Sequence, residues 1–155
     1  MTLKKTLLAL LAGLAVTASA DEPAERPSVE PALNAEVGGP LWLSANLGIR
    51  VPLGASGYGR GLLLQVQPGL GGGSVNVGLV PVSFYAQGTQ AIALGVKARL
   101  LRTWGSPWGT EPGRTYAGFE AGVAVGVKLA VGLMWKVDSG PGDDRIVTWS
   151  VGLGM

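Results

Sequence analysis

The sequence predicts an all-β chain that closes into an antiparallel up-and-down barrel, most simply one of eight strands. Three observations carry that prediction: a long period-2 alternation of apolar and small or polar residues, 26 glycines with ten prolines marking frequent turns, and a charged fraction of 14%. The alternation is clearest from Thr115 to Val137. Odd positions there include Phe119, Val123, Val125, Val127, Leu129, Val131, Leu133 and Trp135, while even positions include Gly118, Glu120, Gly122, Lys128, Gly132 and Lys136. A period of two sustained over this span is β structure with one apolar face and one small-or-polar face. The stretch exceeds one ordinary strand, so it folds near Gly126 into a hairpin. Parity is unbroken across the fold, which fits a three-residue loop, Val125 to Val127, pairing Ala124 opposite Lys128. The competing helix would bury Lys128 mid-bilayer at a cost of at least about 2.5 kcal/mol. Its recurrent Gly and Val also disfavour a helix interior.

The other strands follow from the same pattern. Val29, Pro31, Leu33, Ala35 and Val37 alternate weakly with Glu30, Ala32, Asn34, Glu36 and Gly38, so residues 29–37 read equally as a first strand or as a Pro-containing linker. After the Gly38-Gly39-Pro40 turn, Leu41 to Leu53 sets its odd, apolar positions from Leu41 onward against Trp42, Ser44, Asn46, Gly48 and Arg50. Beyond a loop at 54–60, Gly61 to Leu70 opposes Leu62, Leu64, Val66 and Leu70 to Leu63, Gln65 and Gln67. Gly71-Gly72-Gly73 turns the chain. Ser74 to Tyr85 is strand-like yet apolar on both faces and contains Pro81. Ala91 to Trp104 sets Ile92, Leu94, Val96, Ala98 and Leu100 against Ala93, Gly95, Lys97 and Arg99. Loops at 105–114 and 138–144 flank the central hairpin, and Arg145 to Met155 closes the chain. Seven strands are readable after Pro40; accepting 29–37 makes eight, the even number that single-chain bacterial barrels use.

The amino terminus reads as an export signal. Lys4 and Lys5 form a basic region, Leu7 to Val16 an apolar one, and Ala18-Ser19-Ala20 a small-residue cleavage site. Residues 1–20 are therefore expected to be removed. Residues 21–28 form an acidic, Pro-containing disordered leader, and 29–155 form the barrel domain. The whole chain has 12 Lys+Arg and 10 Asp+Glu, and loss of Lys4 and Lys5 makes the remainder formally neutral. That gives no basis for a nucleic-acid partner. There is no cysteine, hence no disulfide and no lipoprotein anchor, and no histidine, hence neither the commonest general base nor the commonest metal ligand. Charge at 14% falls well below the about 25% of typical soluble domains. Together with the glycine content and the alternation, it predicts an exterior that faces lipid.

Val147, Trp149, Val151, Leu153 and Met155 alternate with Thr148, Ser150, Gly152 and Gly154 up to the last residue. This resembles the C-terminal strand of Gram-negative outer-membrane β-barrel proteins, which the barrel insertion machinery reads as an assembly signal. The family pattern prefers a terminal aromatic, where this chain has Met155. The resemblance implies a transmembrane barrel in the cell outer membrane, with lipid and the insertion machinery as partners. With the C-terminus in the periplasm, the 105–114 and 138–144 loops face outward and the Gly126 turn faces inward. The interior then receives Asn46, Gln65, Gln67 and Asn76 together with a charge network of Glu120, Lys128, Lys136, Lys97, Arg99 and Arg50. Trp42, Trp104, Trp135, Trp149, Tyr85 and Tyr116 lie near strand ends, as interfacial aromatic girdles do. An eight-stranded interior is filled by side chains and leaves no wide pore.

Catalysis and cofactors are not expected. Gly57-x-Gly59-x-Gly61 and Gly69-x-Gly71 lack the Lys-Ser/Thr ending of a phosphate loop. Asp138, Asp143 and Asp144 fit no calcium-loop spacing. Nothing sets Ser150 beside Lys128 or Lys136. The sequence therefore points to a non-enzymatic barrel with a structural or surface-interaction role. The rival is a soluble periplasmic barrel that turns its apolar face inward around an apolar ligand. A third reading is a Gly-rich chain assembling through open strand edges into fibres.

Overall fold

A computed structural model of the chain describes residues 29–53, 60–86 and 89–154. The expected signal peptide, the 21–28 leader, the tip of the 54–60 loop and Met155 lie outside the described residues, as does the side chain of Tyr85. The chain forms eight strands: β1 Glu30–Gly39, β2 Trp42–Pro52, β3 Gly61–Pro68, β4 Gly72–Ala86, β5 Thr89–Thr103, β6 Thr115–Val125, β7 Val127–Lys136 and β8 Arg145–Gly154. Each pairs antiparallel with its successor, and β8 pairs with β1 from Asn34↔Gly154 to Gly39↔Trp149, closing the barrel. Residues 30–39 are thus a strand, and closure is what makes them one. Pro31 is tolerated there because it lies beyond the β8 ladder, which begins at Asn34, and has only β2 beside it, opposite Ile49. Closure also leaves no open sheet edge of the kind a fibre would use.

The central hairpin folds at Gly126, whose φ of 70° a residue with a Cβ rarely adopts, and pairs Ala124 with Lys128 and Val125 with Val127. Faces alternate as the pattern predicts: Phe119, Val131 and Leu133 are exposed, whereas Glu120 and Met134 are buried. β4 is the strand where alternation alone misleads. Its pairing with β5 skips from Leu79↔Val96 to Val82↔Leu94, so Val80 and Pro81 together oppose Gly95. This bulge switches parity: Ser74, Asn76 and Val80 point inward before it and Ser83 after it. A strand that changes parity midway shows apolar residues on both apparent faces. Pro81, which has no N–H to donate, sits where the ladder is already interrupted.

The barrel is inverted relative to a water-soluble one. Among the described residues the buried apolar set is Ala32, Leu41, Val80, Leu101, Tyr116 and Met134, outnumbered by buried polar and charged side chains. Large apolar side chains of all eight strands face outward, from Leu33 on β1 to Leu153 on β8. Among the described residues the buried apolar cluster is Leu41, Leu101, Tyr116 and Met134 with Ile146 against it, at the end carrying loops 104–114 and 137–144. Two sequence expectations change here. Leu41 was placed on the outer apolar face. The chain reverses at Pro40–Leu41 and Trp42 takes a left-handed φ of 63°, so Leu41 turns in while Trp42 and Leu43 both face out. Tyr116, expected in the aromatic girdle, is wholly buried in the cluster instead.

Two glycine substitutions separate backbone strain from close packing. A Cβ at Gly126 meets nothing within 4 Å, so Gly126→Ala should cost only the left-handed backbone term, about 1–2 kcal/mol. A Cβ at Gly118 would overlap the Leu133 carbonyl oxygen and lie 2.6 Å from Met134 Cα, both backbone atoms. Gly118→Ala is therefore expected to cost about 1–3 kcal/mol through overpacking. Urea midpoints in detergent micelles check both; a wild-type midpoint for Gly118→Ala would refute the packing account.

Candidate functional site

The lumen is the candidate site, and strand parity builds it. Every inward position of a small barrel competes for the same narrow volume, so a long polar side chain fits where one neighbouring strand offers a small residue. Glu120 illustrates this: it lies opposite Gly132 on β7 and opposite Lys97 on β5. Its carboxylate is shared by two cations, Lys97 Nζ at 2.9 Å and Arg99 Nη1. All three side chains are almost fully buried.

A second carboxylate, Glu36 on β1, accepts hydrogen bonds from Asn46 Nδ2 at 2.6 Å and Gln67 Nε2 at 3.0 Å, and from Lys128 Nζ. Asn46 Nδ2 also donates to Asn34 Oδ1, and Gln67 Nε2 to Ser44 Oγ. The two centres are joined. Ser74 Oγ accepts from Arg99 Nε at 3.1 Å, and its one proton has two acceptors within reach, Asn76 Oδ1 at 3.2 Å and Gln67 Oε1 at 3.4 Å, the latter near the outer limit for such a bond. One network thus runs Lys128–Glu36–Gln67–Ser74–Arg99–Glu120–Lys97 over six strands, and its branches to Asn46 and Ser44 of β2 bring the total to seven of the eight. A third centre stands nearer the Gly126 end, where Arg50 donates to Glu30 Oε2 at 2.5 Å and to Ser83 Oγ at 2.9 Å.

The residues expected to form one charge network are therefore divided. The structure brings Glu120, Lys97 and Arg99 into direct contact and joins Lys128 to them through Glu36 and Gln67. Arg50 belongs to the separate Glu30 and Ser83 centre. Lys136 is not in the lumen network: it sits at the long-loop end, 3.1 Å from Asp144 Oδ1 and donating to the carbonyls of Gly140 and Gly142. Sequence reasoning missed Glu36 as a partner, although it stands on the even face of 29–37. Reading that segment as strand or linker alike kept its carboxylate from being placed.

The long-loop end is held by its own bonds. Asp138 accepts from the amides of Thr115 at 2.5 Å and Gly140 at 3.3 Å, with Arg114 and Arg102 beside it. The Thr115 amide above all, then the Gly140 amide and the guanidinium groups, hold its carboxyl below the ordinary aspartate value against some desolvation. Thr103 Oγ1 ties the foot of the 104–114 loop, donating to Glu111 O at 2.7 Å and accepting from the Arg114 amide at 3.0 Å. No group of three or more His, Cys, Asp or Glu placed to hold a metal exists among the described residues.

All five tryptophans gather toward this end. Trp42, Trp104 and Trp135 lie exposed at strand ends, and Trp108 in the loop meets Trp149 of β8 edge-to-face at 5.6 Å between ring centres. On β8, Val147, Trp149, Val151 and Leu153 all point outward, alternating with buried Thr148 and Ser150. No protein-family model, curated protein or solved structure matches the chain. Function must be argued from the barrel itself.

Two measurements test the electrostatics of the site. Glu120→Gln leaves two buried cations without their anion and should lower stability by about 3–5 kcal/mol, read as a fall in the urea midpoint. An unchanged midpoint would mean the pairs contribute nothing. For Asp138 the folded carboxyl titrates below its unfolded value, so its stabilisation is present at neutral pH and lost as pH falls through the folded value. Protection of the Thr115 amide, its exchange rate relative to that of the unfolded chain at the same pH, should fall below pH about 4, and Asp138→Asn should abolish that dependence.

Proposed function

We propose that this chain is an outer-membrane β-barrel with no wide pore and no catalytic role, serving a structural or surface-interaction function through its 104–114 and 137–144 loops. The observation that carries the reading is the inversion of polarity: a continuous apolar exterior around a charged, hydrogen-bonded lumen. In water an exterior so apolar would be an unpartnered patch far larger than soluble monomers present. In lipid it is the expected outer band, and seven of its eight strands, at 10 to 15 residues, reach the length a tilted transmembrane strand needs. The tryptophans toward one end fit an interfacial belt. The soluble rival requires the apolar face inside, whereas here Lys97, Arg99 and Glu120 are inside and the leucines and valines outside.

In this reading residues 1–20 direct export, and β8, with Val147, Trp149, Val151, Leu153 and the terminal Met155, is what the insertion machinery engages. The apolar cluster Leu41, Leu101, Tyr116 and Met134 at the long-loop end supports a barrel without a wide pore of porin type.

Val131 and Val137 supply the test, because both are 57% exposed but differ in depth: Val131 lies mid-strand and Val137 just beyond β7. On a water-facing surface, Arg should be tolerated equally at both. In a membrane, Val131→Arg should cost about 2–4 kcal/mol and Val137→Arg about 0–1 kcal/mol. The readout is fractionation of a Gram-negative host with heat-modifiable gel migration. Outer-membrane recovery of Val137→Arg but not of Val131→Arg is expected; equal soluble recovery of both would overturn the proposal.

A further inference from the structure

The half of the lumen nearest the Gly126 turn is not filled. A cavity of about 200 Å³ lies there. Its walls are small or apolar, including Ala32, Leu63, Val80, Ala93, Ala124 and Ala130. Its floor carries Lys97, Glu120 and Gln65, each more than nine-tenths buried. Lys128 and Glu30 border it and are partly exposed, so the cavity communicates with that end of the barrel. At the opposite end the Leu41, Leu101, Tyr116 and Met134 cluster blocks passage. The shape is a cup.

Charge gives the cup a preference. Among the described lumen residues four cations, Arg50, Lys97, Arg99 and Lys128, face three carboxylates, Glu30, Glu36 and Glu120. Arg50 is matched to Glu30 and Lys128 to Glu36, while Glu120 alone serves both Lys97 and Arg99. The surplus positive charge therefore resides on that pair. Arg99 also donates to Ser74 and does not line the cavity, whereas Lys97 does. An ammonium has three donors; Glu120 Oε1 stands 2.9 Å from Lys97 Nζ as an ion pair, and neither atom has a hydrogen-bond partner. Gln65, which also lines the cavity, has its side-chain oxygen buried without a hydrogen-bond partner. A carboxamide that rotates about its terminal bond presents either its oxygen or its NH₂ to the same point. A surplus buried cation with donors to spare, above small apolar walls, is a site for one negative charge on a compact apolar body.

We propose that the cup binds a monocarboxylate with a small apolar body, its carboxylate on Lys97 and Gln65 and its body against Ala32, Ala93, Ala124 and Ala130. The site depends on the lumen alone and stands whether the barrel resides in a membrane or in water. Its ligand comes either from soluble carboxylates entering at the Gly126 end or from fatty acids of a membrane, which share this chemistry.

Benzoate is the probe, titrated by NMR into the full chain folded in nonionic micelles, with empty micelles as blank and folding verified by heat-modifiable migration. Saturable one-to-one binding is expected, with benzamide, the uncharged isostere, at least about tenfold weaker. Lys97→Met should weaken benzoate by at least about tenfold. Ala124→Phe, which retains every charge but fills the cup, should exclude benzoate and decides the matter if Lys97→Met does not fold. Competition by decanoate doped into the micelles would identify the membrane source, and binding indifferent to decanoate the soluble one. Absence of saturable binding, equal affinity for benzamide, or full binding by Ala124→Phe would each overturn the proposal.

Discussion

A carboxylate inside a narrow barrel must be met by donors, and Glu36 imposes that condition on several strands at once. Its own hairpin supplies Asn46 alone. Glu36 on β1 draws Asn46 from β2, Gln67 from β3 and Lys128 from β7, so its set of partners is complete only when the sheet has curled round. Glu120 then fixes β5 against β6, and the Gln67–Ser74–Arg99 bridge couples the two centres across the lumen. Buried ion pairs are weak evidence for net stability, because their desolvation offsets much of the attraction. Their contribution here is selectivity. A slip of one residue in β1, β2, β5, β6 or β7 would send a charge to the apolar exterior and an apolar side chain into the lumen.

That constraint explains the distribution of small residues. Gly118, Gly122 and Gly132 share the inward face of the central hairpin with Glu120 and Lys128, and a Cβ at Gly132 would come within 2.6 Å of both the Phe119 carbonyl oxygen and Thr148 Oγ1. Lumen volume is conserved by alternating long charged side chains with none at all. The exterior obeys no such limit and is filled with Val and Leu, which suit the pleated backbone and need no polar partner.

Much of the architecture was legible in the sequence because strand periodicity is local. The hairpin register at Gly126, the inward set of β2 and β3 and the outward face of β8 follow from parity alone. What parity could not supply was any event that resets it. The Val80–Pro81 bulge reverses the faces of β4, and the left-handed Trp42 sends Leu41 inward, each through a backbone irregularity with no compositional marker beyond a nearby proline. Tyr116 misled for a different reason. Position near a strand end is compatible with a girdle or with a cap on the lumen, and only the closed barrel shows which side of the sheet it occupies. The candidate site was half legible: parity identified Glu120, Lys97 and Arg99 as inward-facing. Pairing across the lumen, such as Glu36 with Lys128 over a separation of 92 residues, is a property of closure and leaves no local trace.

The connections at the long-loop end are unequal, and the inequality is organised. Over β1 to β4 the chain turns tightly at Pro40–Leu41 and at Gly69–Gly71, and these turns are stitched flat: the Gly71 amide donates to the Leu41 carbonyl, and the Gly71 carbonyl accepts from both Trp104 and Gly105. Over β5 to β8 rise the two longer loops, braced on Thr103 and Asp138. The rim is therefore a step with a low side and a high side. Anything approaching from that direction, whether a neighbouring protein, a glycan or an antibody, meets relief on one flank only, so this round barrel has a front and a back.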